Sequence, residues 1–178
     1  MMEHFSSPET NFFIQSAQFT DIKEIARVHV NSWCESYDGI ISKKYLESLK
    51  YTDKEIMWEQ FIPRRPGHGG TLVVKTSDGE VVGFSDFGPA REHEHGFDSE
   101  IYAFYLLKKY HGKGLGRELL KRTFQKLKED GYSSSYLWVF KENPSKGFYE
   151  NHDGTYLKSM SIQVGEESHI EDLYYWDL

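Results

Sequence analysis

Cysteine is almost absent from this chain of 178 residues, where Cys34 stands alone. A single thiol excludes an intrachain disulfide and any metal site built on a CxxC pair. Proline is sparse, at five residues, and no internal repeat or long low-complexity linker divides the chain. No apolar run approaches the roughly 20 residues that a membrane-crossing helix needs. The opening MMEHFSSPET has neither the basic start nor the apolar stretch of a secretory signal. These absences predict a cytoplasmic protein with no membrane partner. Basic residues are outnumbered, 21 Lys and Arg against 28 Asp and Glu, for a formal net charge of -7. An acidic body repels a long phosphate backbone, so nucleic acid is not an expected partner.

What the chain does have is a core. Aromatics are plentiful, with 12 Tyr, 12 Phe and 4 Trp, and the length suits one domain. Residues 1–10 read as a disordered tail and 11–178 as a single folded unit. A first strand is predicted over Phe12 to Ala17, with Thr20 as a helix N-cap. Ile22, Ile25, Ala26, His29 and Trp33 recur at helical spacing, so a helix runs to about Tyr37, where Asp38-Gly39 breaks it. Two short helices follow over Ser42 to Leu49 and Thr52 to Phe61. Thr71 to Lys75 and Val81 to Phe87 flank Ser77-Asp78-Gly79 as a hairpin. The order continues with a strand over Glu100 to Leu107, a helix over Leu115 to Asp130, and a strand over Ser135 to Phe140. A short helix over Pro144 to Asn151 and a final hairpin, Thr155 to Val164 with His169 to Trp176, complete it.

The most informative stretch is EIYAFYLLKKYHGKGLG, Glu100 to Gly116. An apolar strand runs into a turn bearing Gly112, Lys113, Gly114 and Gly116, and Leu115 opens an amphipathic helix. Alternating glycines let a backbone approach an anion and aim its amide N–H groups at it. The helix adds the positive end of its dipole. Charge agrees: Lys108 to Lys126 carries seven basic residues and one acid, a local net of +6 that leaves -13 elsewhere. A basic loop on an acidic body suits a polyanionic cofactor. The spacing fits neither G-x-x-x-x-G-K-[ST] nor G-x-G-x-x-G.

His111-Gly112-Lys113-Gly114-Leu115-Gly116 resembles the Q/R-x-x-G-x-G/A loop of the GCN5-related N-acetyltransferase (GNAT) family, with His111 in place of Gln or Arg. The resemblance implies acetyl-coenzyme A as cofactor, its pyrophosphate held by His111, Gly112, Lys113, Gly114, Leu115, Gly116 and Arg117. It also implies an α/β (α+β) fold, a mixed, mostly antiparallel sheet flanked by helices. A second stretch, Asn143-Pro144-Ser145-Lys146-Gly147-Phe148-Tyr149, is similar to the family's Asn followed by a Phe-Tyr pair. There Asn143 would bind the pantetheine or diphosphate arm, and Tyr149 would protonate the departing thiolate. The strand end Leu106-Leu107-Lys108, where members often have Pro at the Lys108 position, would offer a backbone N–H to the oxyanion of a tetrahedral intermediate.

The attacking amine must lose a proton, and Glu100 stands where some relatives carry a base. Strict strand alternation puts Glu100 on one face with Tyr102 and Phe104. Asp86, His111 and solvent are the alternatives, and Cys34 reads as a buried thiol rather than an acyl carrier. Ser32 to Ile41 is similar to an SWxxxYxGxI stretch in one bacterial subset, which would place Trp33 and Tyr37 on the wall of the acceptor pocket. His93 and His95 form an H-x-H pair without a third fixed ligand, so no metal site is expected. The function implied is direct acetyl transfer from acetyl-CoA to a small-molecule amine such as a polyamine, an aminoglycoside or an amino acid. The alternatives are O-acyl transfer, a peptide or protein N-acetyltransferase, or a catalytically silent coenzyme A-binding regulator. A homodimer through the C-terminal hairpin is a further expectation.

Overall fold

The computed structural model describes residues 4–7, 10–62, 64, 67–93 and 95–178. Helix α1 (Ile22–Tyr37) turns Ile22, Ile25, Ala26 and His29 inward, the stripe its spacing prescribes. Helices α2 (Lys43–Ser48) and α3 (Tyr51–Phe61) follow. Strands β3 (Gly70–Thr76) and β4 (Val81–Pro89) pair antiparallel around Gly79, whose φ of 87° suits only glycine without strain. Then come β5 (Ser99–Leu106), α4 (Leu115–Glu129), β6 (Ser134–Phe140), α5 (Lys146–Glu150), β7 (Thr155–Val164) and β8 (Glu167–Asp177).

Part of the expected tail is ordered into the sheet. His4–Ser7 form β1, paired antiparallel with β2 (Thr10–Ser16), while residues 1–3, 8 and 9 lie outside the described part. The segment His4–Ser7 is too short for a periodic pattern, and its partner strand supplies the order. The sheet order is β1-β2-β3-β4-β5-β6-β8-β7. All neighbours are antiparallel except β5 and β6, which α4 connects as a crossover. On one face, Leu115, Leu119, Leu120 and Leu127 of α4 pack on Leu72, Val74, Val82, Phe87 and Ile101. On the other, Ile22, Ile25, Ala26 and Val28 of α1 with Trp58 of α3 cover Val73 and Phe84.

The parallel pair is short. Ser99 pairs with Ser135 and Glu100 with Tyr136, and pairing then stops. The joined end is heavily pinned. Asp98 accepts the backbone N–H and the hydroxyl of both Ser133 and Ser134 at 2.8–2.9 Å. The Ser99 hydroxyl donates to the Ser134 carbonyl at 2.6 Å. The Tyr136 hydroxyl donates to Glu100 at 2.9 Å. Beyond this vertex the strands part, and Phe148 and Tyr149 of α5 pack against Phe104 of β5, with ring centroids 5.8 and 6.2 Å away. Gly116 lets α4 approach this aromatic wedge, since a Cβ there would stand 3.2 Å from the Phe148 ring.

His29 is buried behind β5, accepting the Trp58 indole N–H at 3.3 Å on Nδ1 and stacking on Tyr105 at 5.4 Å. Burial, and then the Lys54 charge, lower its pKa to about 3. The neutral ring is therefore the folded form, while the unfolded chain binds a proton near pH 6.5. The linkage sign is clear: this contribution is intact above pH 6.5 and is lost progressively as pH falls toward 3. We expect urea midpoints to decline over that interval, and H29Q, which keeps an acceptor for Trp58, to decline less steeply. Equal slopes would contradict it.

Candidate active site

Where β5 and β6 separate, a cavity of about 450 Å³ opens. Its walls are β5 from Ile101 to Leu106 and β6 from Leu137 to Val139. The glycine loop closes one end through His111, Gly112, Gly114, Gly116 and Arg117; Asn143, Phe148 and Tyr149 close the side; Ser36 and Tyr37 of α1 reach the other end.

The loop is built as an anion cradle. Gly112 and Gly114 take φ of 73° and 78°, with open space where a Cβ would stand. The N–H groups of Gly112 to Arg117 make no backbone hydrogen bond among the described residues, so the loop and the first turn of α4 present unpaired donors. His111, at the position the family fills with Gln or Arg, donates Nε2–H to the Leu106 carbonyl at 2.8 Å and ties the loop to the strand end. Lys113 stacks over Tyr110 at 5.8 Å beside this cradle, and Leu115 is a core residue of α4. The cradle fits the pyrophosphate of coenzyme A: close backbone approach, free amides, and Arg117 at its edge.

The strand end sorts its three amides. Leu107 N–H bonds to the Val82 carbonyl at 3.0 Å, and Lys108 N–H to Glu35 Oε2 at 2.8 Å. Alternation turns the Leu106 N–H the other way, toward the open notch, because β6 no longer pairs there. Asn143 lines the cavity while its Oδ1 accepts the Ser145 N–H at 2.9 Å, fixing the turn into α5. Gly154 packs so tightly on Tyr149 that a Cβ would meet its carbonyl at 2.7 Å. Tyr149 is only 7 % exposed. Burial, and then the neighbouring Tyr105 phenol, push its pKa well above the ordinary phenol value, so it stays protonated at neutral pH.

Other expected residues fall elsewhere. Glu100 is 1 % exposed and does not line the cavity. Its oxygens accept the Arg91 backbone N–H at 3.1 Å, the Arg91 guanidinium through Nε at 3.0 Å and Nη2, and the Tyr136 hydroxyl. A bulge at Tyr102 explains the placement: Asp86 pairs with Ala103 but Phe87 with Ile101. The extra residue shifts the phase, so Glu100 shares a face with Ala103 and Tyr105, not with Phe104. Asp86 is held by Arg64 at 2.6 Å and Thr71 at 2.7 Å, also away from the cavity. Trp33 stands behind the wall, donating its indole N–H to the Tyr105 hydroxyl at 2.9 Å. Cys34 is exposed, one helical step off the inward stripe, not buried as expected. His95 packs between Tyr136 and Trp138 and bonds to Glu92 at 2.7 Å; Glu94 lies outside the described residues. Sequence reasoning missed Tyr105, since the bulge conceals which side of β5 faces the notch, and Trp138 of β6, which also lines the cavity.

Comparison with known proteins agrees with this geometry. The acetyltransferase (GNAT) family profile matches residues 30–154. YuaI of Bacillus subtilis, an uncharacterized N-acetyltransferase, is 40 % identical over 137 residues, 77 % of this chain and 76 % of that protein. The spermidine N(1)-acetyltransferase of Thermoplasma acidophilum is 27 % identical over 139 residues, covering 76 % of this chain and 81 % of its own. Among solved structures, the PaiA N-acetyltransferase of T. acidophilum in complex with coenzyme A superposes with a TM-score of 0.67 at 21 % identity, over 90 % of this chain and 97 % of the other. YncA of Salmonella typhimurium with acetyl-CoA gives 0.70 at 18 % identity, over 94 % of both chains. The glycine cradle, the splayed strands and this kinship define an acyltransferase. The chain belongs to the GNAT family and is an acetyl-CoA-dependent N-acetyltransferase.

The clamp at Glu100 yields a test of its role. E100Q keeps the shape but loses charge-assisted bonds, which costs about 1.5–3 kcal/mol. We expect that loss in urea denaturation with an unchanged pH profile of acetyl transfer. A changed profile at unchanged stability would return Glu100 to the base position.

Proposed function

We propose that the chain moves the acetyl group of acetyl-CoA directly to the amine of a small molecule, with Tyr149 as the acid and Leu106 N–H as the oxyanion donor. The observation that carries this reading is the protonated, buried Tyr149 phenol facing a cavity whose opposite wall offers an unpaired strand amide. Acetyl-CoA supplies a thioester whose carbonyl an amine can attack. The glycine cradle and Asn143 hold the cofactor's polar arm, and the gap between β5 and β6 admits its extended portion. Leu106 N–H offers a fixed dipole where negative charge develops on oxygen. Tyr149 offers its proton to the departing sulfur, and burial keeps that proton in place until it is needed.

The acceptor end supports a cationic amine. Tyr37, Tyr105, Tyr102 and Trp138 line it, and aromatic faces and phenol oxygens favour an ammonium. The spermidine acetyltransferase kinship of a relative leans the same way. A peptide amine is the second reading, since a ribosomal-protein-alanine N-acetyltransferase of Brucella melitensis shares the fold at a TM-score of 0.70. The exposed outer edge of β7, with Tyr156, Leu157 and Met160, also supports pairing with a second copy. Sedimentation equilibrium giving a monomer at micromolar concentration would remove that contact.

The test of function is thiol release from acetyl-CoA over spermidine, an aminoglycoside, free amino acids and an alanyl peptide. We expect release with one class of primary amine, and Y149F to lower kcat by about 10²- to 10⁴-fold at unchanged cofactor affinity. Calorimetric binding without release from any acceptor would favour a regulator.

A further inference from the structure

The glycine loop and the strand end meet at one hydrogen bond that the transferase reading leaves without a role, that of His111 to Leu106. We propose that the His111 imidazole stands in for an amide of acetyl-CoA: it holds the Leu106 carbonyl and yields it when the amide-bearing arm of the cofactor lies along β5. The proposal rests on the transferase reading and deepens it by naming the residue that governs entry of the arm.

The backbone of β5 decides which groups face the gap. Leu107 N–H bonds to the Val82 carbonyl at 3.0 Å, so these two form a hydrogen-bonded pair. Hydrogen-bonded and non-hydrogen-bonded pairs alternate along an antiparallel ladder. The next pair, Gly83 with Leu106, is therefore of the second kind. Its backbones approach closely, since a Cβ on Gly83 would stand 3.3 Å from the Leu106 Cα. In such a pair the N–H and the C=O both turn away from the partner strand. Leu106 thus aims both groups at the side of β6, whose pairing with β5 ends at Glu100. The N–H has no partner there among the described residues, and the C=O meets His111 Nε2 at 2.8 Å. A carbonyl only accepts, so Nε2 carries the proton. His111 makes the bond that an amide of a neighbouring strand would make. An extended arm bearing amide N–H groups competes for the same acceptor, as an added strand does at a sheet edge.

The loop does not depend on this bond. A 3₁₀ turn, Lys108–Tyr110, folds the chain back, with Tyr110 N–H on the Leu107 carbonyl at 2.9 Å. Glu35 holds the Lys108 N–H at 2.8 Å. Tyr110 packs edge-on against Phe12 at 5.8 Å and donates its hydroxyl to Glu80 at 3.3 Å. These contacts fix the turn whichever way the imidazole points. His111 itself is exposed, and its Nδ1 has no hydrogen bond among the described residues. Gly112 beside it has open space where a Cβ would stand, so the ring has room to turn. An exposed neutral hydrogen bond contributes little net free energy, an amount that an incoming amide replaces.

The experiment labels leucine with carbon-13 at the carbonyl and nitrogen-15 at the amide. Leu follows Leu at two places, Leu106-Leu107 and Leu119-Leu120, so a carbonyl-to-amide NMR spectrum has two signals. The second lies inside α4, and L120M identifies it by removing it. With protein alone, H111A should move the Leu106 carbonyl upfield, the direction of a lost hydrogen bond, and leave Leu119 in place. With saturating coenzyme A, wild type and H111A should give the same Leu106 signal, because the arm holds that carbonyl in both. Pantetheine, the arm without any phosphate, separates this bond from the anion cradle. H111A should bind it about 2- to 10-fold more tightly than wild type, the size of one net hydrogen bond. Identical Leu106 signals in the two proteins alone would overturn the proposal. An offset that persists with coenzyme A bound would overturn it too, making His111 a fixed tie, as would pantetheine affinity that H111A leaves unchanged or lowers. Each of these leaves the transferase reading standing, whereas failure of coenzyme A to bind the wild type would strike that reading and the hand-over together.

Discussion

Everything in this molecule depends on the abrupt end of one parallel strand pairing. β5 and β6 share two residue pairs and no more. Hydrogen-bonding groups on the inner edges of both strands are then left facing a gap, which would be costly in a dry interior. The fold resolves this by making the gap a ligand site. Asp98, Ser99 and Glu100 lock the closed end, so the open end diverges from a fixed vertex. The aromatic wedge of α5 then keeps the strands from closing. A cofactor with an extended amide-bearing arm complements such an edge much as a missing strand would.

The same constraint orders the chemistry. The glycine cradle at one end of the gap offers unpaired amides to an anion, and the phenols at the other end offer oxygens to a cation. The two ends are thus matched to opposite charges, with the reacting centre between them. Neutral groups dominate that centre. Tyr149 and Tyr105 are held in the protonated state by burial, and His29 behind them is kept neutral by the same cause. Burial of this kind strengthens each remaining dipole and charge.

Much of this was legible beforehand. The helices and strands fall within a few residues of their expected ends, because glycines and apolar spacing mark them. His111, Gly112, Gly114, Gly116 and Arg117 of the cradle, together with Asn143 and Tyr149, are marked by local motifs, and they line one cavity, while Lys113 and Leu115 do not. Face assignments were less legible. A single inserted residue at Tyr102 reverses the phase of β5, so alternation alone puts Glu100 with Phe104. Trp33 and Cys34 show the limit of helical periodicity near a helix end, where a difference of one residue separates a half-buried indole from an exposed thiol.

The central claim is that the acetyl group lies in the gap between β5 and β6, beside Leu106 and Tyr149. The direct measurement is a nuclear Overhauser experiment on the protein with acetyl-CoA carrying carbon-13 in its acetyl methyl. The account predicts contacts from that methyl to the Tyr149 ring, the Phe104 ring and the Leu106 amide. Contacts only to residues outside the gap, with none of these three, would contradict it.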